Sequence, residues 1–206
     1  EIDPIIKAPF RFDKLNKTIK DENDLRSQIY LTLVNMNVLE AVRFYVSFAC
    51  ALAFDQNKKM CGNSQIIKLI RRDEGVHMFI SQNIIKILRE NKSEGFQGVI
   101  KSLEKEAIQI FLDAAEEEKA WASYLFKDGG LIGLNAKIMH QYIEYLTDTR
   151  LEGVSLPKQF GTKNPISWLE MDSTKEQAAP QEQEITSYKV AASVNDVDNM
   201  DFGFLE

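Results

Sequence analysis

The run "VLEAVRFYVSFACALAF", residues 38–54, is apolar nearly all round and carries only two charged side chains, Glu40 and Arg43. A helix that is apolar on every side needs neighbours on every side, so this segment belongs at the centre of a packed core. A membrane span is the competing fate. Seventeen residues fall short of the roughly 20 that a bilayer requires. Glu40 and Arg43 would each cost roughly 2.5–3.5 kcal/mol near its midplane. The run therefore predicts a core helix and no membrane partner.

The rest of the chain supplies the neighbours. Only 10 Gly and 5 Pro occur in 206 residues, which favours long helices over a turn-rich sheet, and the length suits one domain. Residues 1–20, with Pro4 and Pro9, read as an irregular lead-in. The acidic residues from Asp21 to Asp24 suit a helix start, and this first helix is expected to run to about Asn57. "KKMCGNS" (58–64) ends it at Gly62. A second helix is expected over about 64–91, where Ile66, Ile67, Ile70, Phe79, Ile80, Ile84, Ile87 and Leu88 recur at helical spacing. A third covers about 96–127, closed by "DGG", and a fourth about 131–150. A loop over 153–165 and a short turn at "ISWLE" follow. No strand-like run stands out, so the fold class is all-α, a helical bundle.

Charge is unevenly placed. Residues 172–206 carry eight acidic and two basic side chains and account for the whole net charge of −6, since residues 1–171 hold 23 of each sign. No basic patch appears, which argues against nucleic acid as a partner. The stretch after Asp172 is polar and aperiodic, the composition of a disordered tail. Its end, "VDNMDFGFLE", sets Met200, Phe202, Phe204 and Leu205 among acids. That pattern predicts a docking peptide whose aromatics anchor in a partner's groove. Cys50 and Cys61 form no CxxC pair and suit reduced thiols in a cytoplasmic setting.

The candidate chemistry lies in "RRDEGVHMF", residues 71–79. Glu74 and His77 are three apart and share a helix face. With 18 Glu and two His in the chain, such a pair arises by chance about one time in six, so the pair alone decides nothing. Glu40 sharpens the question, because an ionised carboxylate among apolar neighbours needs a cation. Arg43, one turn on, would serve, and so would a metal; the sequence leaves both open. Di-iron carboxylate bundles take one Glu from each of two helices and a Glu-x-x-His from each of two others. One lone Glu followed 34 residues later by one Glu-x-x-His is half of that set. His140 follows Lys137 rather than an acid at the third position back, which assigns it a structural role beside Glu144. Glu116, Glu117 and Glu118 read as a solvated face.

Longer stretches settle the direction. "NVLEAVRFYVSFACALAF", "IIKLIRRDEGVH", "EKAWASYLFKDGGLIGLN", "QYIEYLTDTRLEGV", "NPISWLE" and "APQEQEITSY" occur in one order over residues 30–190. Together they resemble the small, radical-generating subunit of class I ribonucleotide reductase. The resemblance implies a ferritin-like bundle with a di-iron centre, of which Glu40, Glu74 and His77 are the later three of six ligands. Manganese is a possible alternative metal. It implies that Asp73 hydrogen-bonds a histidine ligand and lies on a radical-transfer route. It makes Phe44, Phe48 and Ile70 an apolar lining near the irons, and Tyr188 with Glu182 the tail groups of radical transfer. Residues 21–171 become the later part of the helical domain and 172–206 the tail that docks the large subunit. No stretch resembles the family's first half, which carries the other ligands and the radical tyrosine. The chain, whose first residue is Glu, is thus expected to be the C-terminal portion of a small subunit, and the completed subunit is expected to form a homodimer. Two other readings fit the residues less fully: another ferritin-like iron protein, such as an oxygenase or an iron-oxidising carrier, and a non-enzymatic helical interaction module.

Overall fold

The computed structural model describes residues 21–169. Among them are six helices and no strand: α1 (Glu22–Ala41), α2 (Tyr45–Gln56), α3 (Cys61–Glu90), α4 (Phe96–Ser102), α5 (Glu104–Leu125) and α6 (Ala136–Gly153). The lead-in expected over 1–20 and the tail expected over 172–206 lie outside the described residues.

Local chemistry explains the helix starts. The Asp21 carboxylate accepts the Asp24 N–H at 2.9 Å, and Glu22 and Asp24 fill the first turn of α1. Asn135 caps α6 in the same way, accepting the Ile138 N–H at 3.0 Å. That cap places the start of α6 later than the expected residue 131. The intervening "GGLIG" is a tight turn closed by two 2.9 Å hydrogen bonds between Leu131 and Leu134, with Gly133 at φ 80°.

The first helix is not continuous. It breaks at Val42–Phe44, and Phe44 sits in the left-handed region at φ 78°. A bulky residue there costs about 1–3 kcal/mol, and no Gly or Pro marks the site. Side chains from the other helices hold the break open. Arg150 of α6 donates through Nε to the Ala41 carbonyl and through Nη2 to the Tyr45 hydroxyl, both at 3.1 Å. Its guanidinium also lies over the Tyr45 ring, 5.2 Å from the centroid. From α5, the buried Glu118 carboxyl faces the backbone N–H groups of Val46 and Phe44, which favour its charged form. A cation thus closes the C-terminal end of α1 and an anion the N-terminal start of α2, each the sign that the helix dipole favours.

Two expectations change as a result. The acids of α5 are not a solvated face: Glu118 is buried, and Glu117 pairs with Arg43 at 2.5 Å, while Glu116 remains exposed beside Lys119. The third helix also divides, at Leu103, into α4 and α5. This lets Phe96 and Ile100 join Tyr30, Val34 and Phe111 in one apolar cluster. A second cluster gathers Tyr45, Phe48 and Leu52 of α2 with Met139, Tyr142 and Leu146 of α6. The short turn after residue 165 closes on it through Ile166 and Leu169. The segment Glu22–Gln56 is long and apolar enough to cross a membrane, yet 56% of its most apolar window is buried inside the fold. Core helices pass the same length and composition test.

Burial pushes the Glu118 carboxyl up to about 7 against the two N–H groups and Arg43, which favour its charged form. A carboxyl raised in the fold stabilises it fully below its unfolded value near 4.5, and that contribution is lost as pH rises through about 7. Urea unfolding is expected to show a loss of about 3 kcal/mol between pH 4.5 and 8 from this group. Glu118→Gln, neutral throughout, should flatten that slope.

Candidate metal centre

Glu40 lies in the last turn of α1, just before the break, and Glu74 and His77 lie near the middle of α3. The two helices pack along each other. Asn37, buried in α1, ties them by donating to the Ser81 hydroxyl at 2.8 Å and to the Met78 carbonyl at 3.2 Å. This contact sits one turn from both Glu40 and His77 and sets their register.

The three side chains converge. One ligand atom from each of Glu40, Glu74 and His77 lies within 4.8 Å of the other two. His77 Nδ1 is 3.2 Å from Glu74 Oε2 and 3.6 Å from Glu40 Oε2. The neighbouring Glu74 carboxyl, aided by burial, holds the Glu40 carboxyl above its usual range, with His77 opposing. The Glu74 carboxylate raises His77 by hydrogen bonding; burial opposes this, and the charge of Glu40 adds to it. Two carboxylates brought together repel unless they share a proton or a cation. Oxygen and imidazole donors in one place suit a divalent iron or manganese ion, so the residues fit such a group. Arg43, the alternative cation for Glu40, has its ion pair with Glu117. The site is open on one side: the His77 side chain is 55% exposed, against 23% for Glu40 and 20% for Glu74. Three donors with an open side leave coordination positions for groups from elsewhere.

The other sequence candidates fall around this cluster or outside the described residues. Asp73 is exposed beside Glu74, and Ile70 is exposed one turn before it. Phe44 forms the break four residues beyond Glu40 and is exposed, while Phe48 is buried with its ring 5.6 Å from that of Tyr45. Tyr188 and Glu182 lie outside the described residues. His140 packs against α5 instead of pairing with Glu144: its Nε2 is 2.9 Å from the Ser123 hydroxyl and 3.0 Å from the Lys119 carbonyl. Glu144 turns to Lys119 at 3.0 Å and accepts the Thr162 hydroxyl at 2.7 Å. Arg150 and Glu118, which frame the end of the helix that carries Glu40, were not singled out as functional supports. Their only sequence signal is that a charged residue on an otherwise apolar helix face must find a partner.

Fold and site together define an all-helical, ferritin-like protein with a carboxylate and imidazole cluster on two neighbouring helices. The chain belongs to the ribonucleotide reductase small-chain family, which matches residues 5–165. It is similar to the ribonucleoside-diphosphate reductase subunit beta of Haemophilus influenzae, 47% identical over 182 residues. The corresponding subunit of Buchnera aphidicola (strain Sg) is 46% identical over the same length. Each match covers 86% of this chain and 48% of the relative. Among solved structures, a putative class I ribonucleotide reductase from Bacillus halodurans aligns with a TM-score of 0.64 and 27% identity over 70% of this chain and 45% of that one. The ribonucleotide reductase R2 subunit from Clostridium botulinum aligns at 0.59, also with 27% identity, over 78% and 56%. The chain thus spans about half the length of the curated relatives it matches.

Proposed function

We propose that this chain supplies the later half of a ribonucleoside-diphosphate reductase small subunit, acting in deoxyribonucleotide synthesis in the cytoplasm. Glu40, Glu74 and His77 hold their share of a dinuclear iron centre, with manganese as the variant metal, and the remaining ligands come from residues that this chain does not contain. When bound, the metal pair would supply, with dioxygen as the oxidant, the oxidising power for one-electron oxidation of a tyrosine to its radical. The chain's own residues orient and shield that chemistry. The Asn37–Ser81 contact sets the register of the ligand helices, and the break at Phe44 ends α1 just past Glu40. Phe44, Phe48 and Ile70 form the apolar wall that keeps water from the centre, and Asp73 hydrogen-bonds a histidine ligand and relays the radical equivalent. Tyr188 and Glu182 carry that equivalent onward, and residues 172–206 dock the large subunit. The completed subunit pairs as a homodimer. The observation that carries this reading is the convergence of the three donors within 4.8 Å, inside the segment that matches the family.

Co-expression with the N-terminal half of one of these relatives tests it. Electron paramagnetic resonance is expected to show a tyrosyl radical with both halves present, and none with this chain alone. A tyrosyl radical with two metals per chain in the isolated 206-residue protein would contradict the half-site.

A further inference from the structure

The centre proposed above oxidises a tyrosine that lies among residues this chain does not contain. Two tyrosines of this chain stand close to it. Tyr45 lies five residues past Glu40, a span of at most about 18 Å, and Tyr142 of α6 joins Tyr45 in one apolar cluster. Oxidation of a phenol to its neutral radical breaks the O–H bond, sending one electron to the oxidant and the proton to a base. Among the described residues, neither hydroxyl is bonded to a base. The Tyr45 hydroxyl accepts a hydrogen bond from Arg150 Nη2 at 3.1 Å. A guanidinium has five donors, no acceptor and a permanent charge, so it does not take up the phenol proton. It also lies over the Tyr45 ring, 5.2 Å from the centroid, where its charge opposes removal of an electron. The Tyr142 hydroxyl is buried with no partner among the described residues, and burial pushes its pKa up. Tyr45 is 3% exposed and Tyr142 fully buried, so both are already covered by this chain's own helices.

We propose that Arg150 determines which tyrosine is oxidised. By bonding the Tyr45 hydroxyl and covering its ring, it keeps this phenol from giving up an electron and a proton, and leaves the oxidation to the tyrosine of the completing half. The inference rests on the reading of Glu40, Glu74 and His77 as ligands of an oxidising centre. Arg150 acts through Tyr45 and is a positioning residue. Its other bond, from Nε to the Ala41 carbonyl at 3.1 Å, does two things. It fixes the guanidinium against the helix that carries Glu40, so the Tyr45 hydroxyl meets a donor in one orientation. It also occupies a carbonyl oxygen beside that hydroxyl, which would otherwise accept from the phenol. Without the guanidinium, the Ala41 carbonyl and water entering the vacated volume become acceptors on the path of the proton, and the charge over the ring is gone.

The test needs no metal. The full 206-residue chain is oxidised with photogenerated tris(bipyridine)ruthenium(III), a one-electron acceptor. Tyrosyl radicals are trapped by freezing and counted by electron paramagnetic resonance, and the Tyr45 share is the part that Tyr45→Phe removes. In the parent that share is expected to be nil. In the neutral variants Arg150→Gln and Arg150→Met it should appear, with Tyr45 oxidised more than about tenfold faster, the effect of lifting a unit charge from about 5 Å. Arg150→Lys should be silent at neutral pH and gain the Tyr45 share by about pH 9, because a buried ammonium gives up its proton below its free value near 10.4 whereas a guanidinium does not. A Tyr45 share in the parent would overturn the proposal. So would a neutral variant that keeps its helical circular dichroism and stays silent. Should both neutral variants lose that signal, the pH profile decides, and a lysine variant that follows the parent up to pH 9 would overturn it as well. Absence of any tyrosyl radical from the co-expressed parent halves would strike the proposed function and leave the effect of Arg150 on Tyr45 standing.

Discussion

Glu74→Ala, in the chain co-expressed with an N-terminal half, is expected to empty the metal centre. Glu74 stands between the other two donors: it hydrogen-bonds His77 at 3.2 Å and its carboxyl perturbs that of Glu40. Without it, a weak pair of donors 3.6 Å apart remains. Changes one layer outside a metal typically cost 10–100-fold in affinity, so loss of a direct ligand should exceed about 100-fold. Metal content after desalting should fall below a tenth of the parent's. The metal-free variant should melt no lower than the metal-free parent, because the substitution also removes a carboxylate held against another. Glu90→Ala, an exposed change near the end of the same helix, should leave metal content unchanged. Equal metal retention in both variants would remove Glu74 from the ligand set.

The second large effect lies away from the donors. Arg150 is 6% exposed and makes two hydrogen bonds, to the Ala41 carbonyl and the Tyr45 hydroxyl, across the break in the long apolar helix. Bonds that involve a charged group contribute about 1.5–3 kcal/mol each. Arg150→Ala also leaves the Ala41 carbonyl without that donor and strips a cation from the Tyr45 ring. The expected loss is about 3–5 kcal/mol, or roughly 10 °C in melting temperature for a chain of this size. Glu40 sits one residue before Ala41, so metal affinity should fall with stability. Arg150→Lys keeps the charge but loses the planar fork, and should recover part of the stability. A melting temperature within two degrees of the parent would show that the break holds without this contact.

How far the sequence could be read follows the range of the forces involved. Helix starts with a local cap were legible, as at Asp21, and the end of α3 at Glu90 falls where "NKSEG" marks it, whereas its start at Cys61 puts Gly62, expected to stop the preceding helix, inside α3. The break at Val42–Phe44 was not legible. It carries no Gly or Pro, and the groups that hold it, Arg150 and Glu118, arrive from 70 or more residues away in the chain. Tertiary bonds there override helix propensity. The burial of Glu118 was hidden for the same reason, since a run of three glutamates normally faces water. The three candidate donors stand out as residue types and, within α3, by spacing, but their convergence depends on how α1 lies against α3. Periodicity also marked the isoleucine line of α3 as a packing face. In this chain that face is exposed, while the all-round apolar run of α2 is well covered. Pattern reports which face needs a partner, not which molecule provides it.

The central claim is that one carboxylate from α1 and a carboxylate and imidazole from α3 bind the same metal centre. Anomalous diffraction at the cobalt edge, from crystals of the chain joined by its completing half and loaded with cobalt(II), tests it most directly. The account predicts peaks about 2.0–2.2 Å from a Glu40 oxygen, a Glu74 oxygen and His77 Nδ1. A fully loaded protein whose metal ligands include none of these three would contradict it.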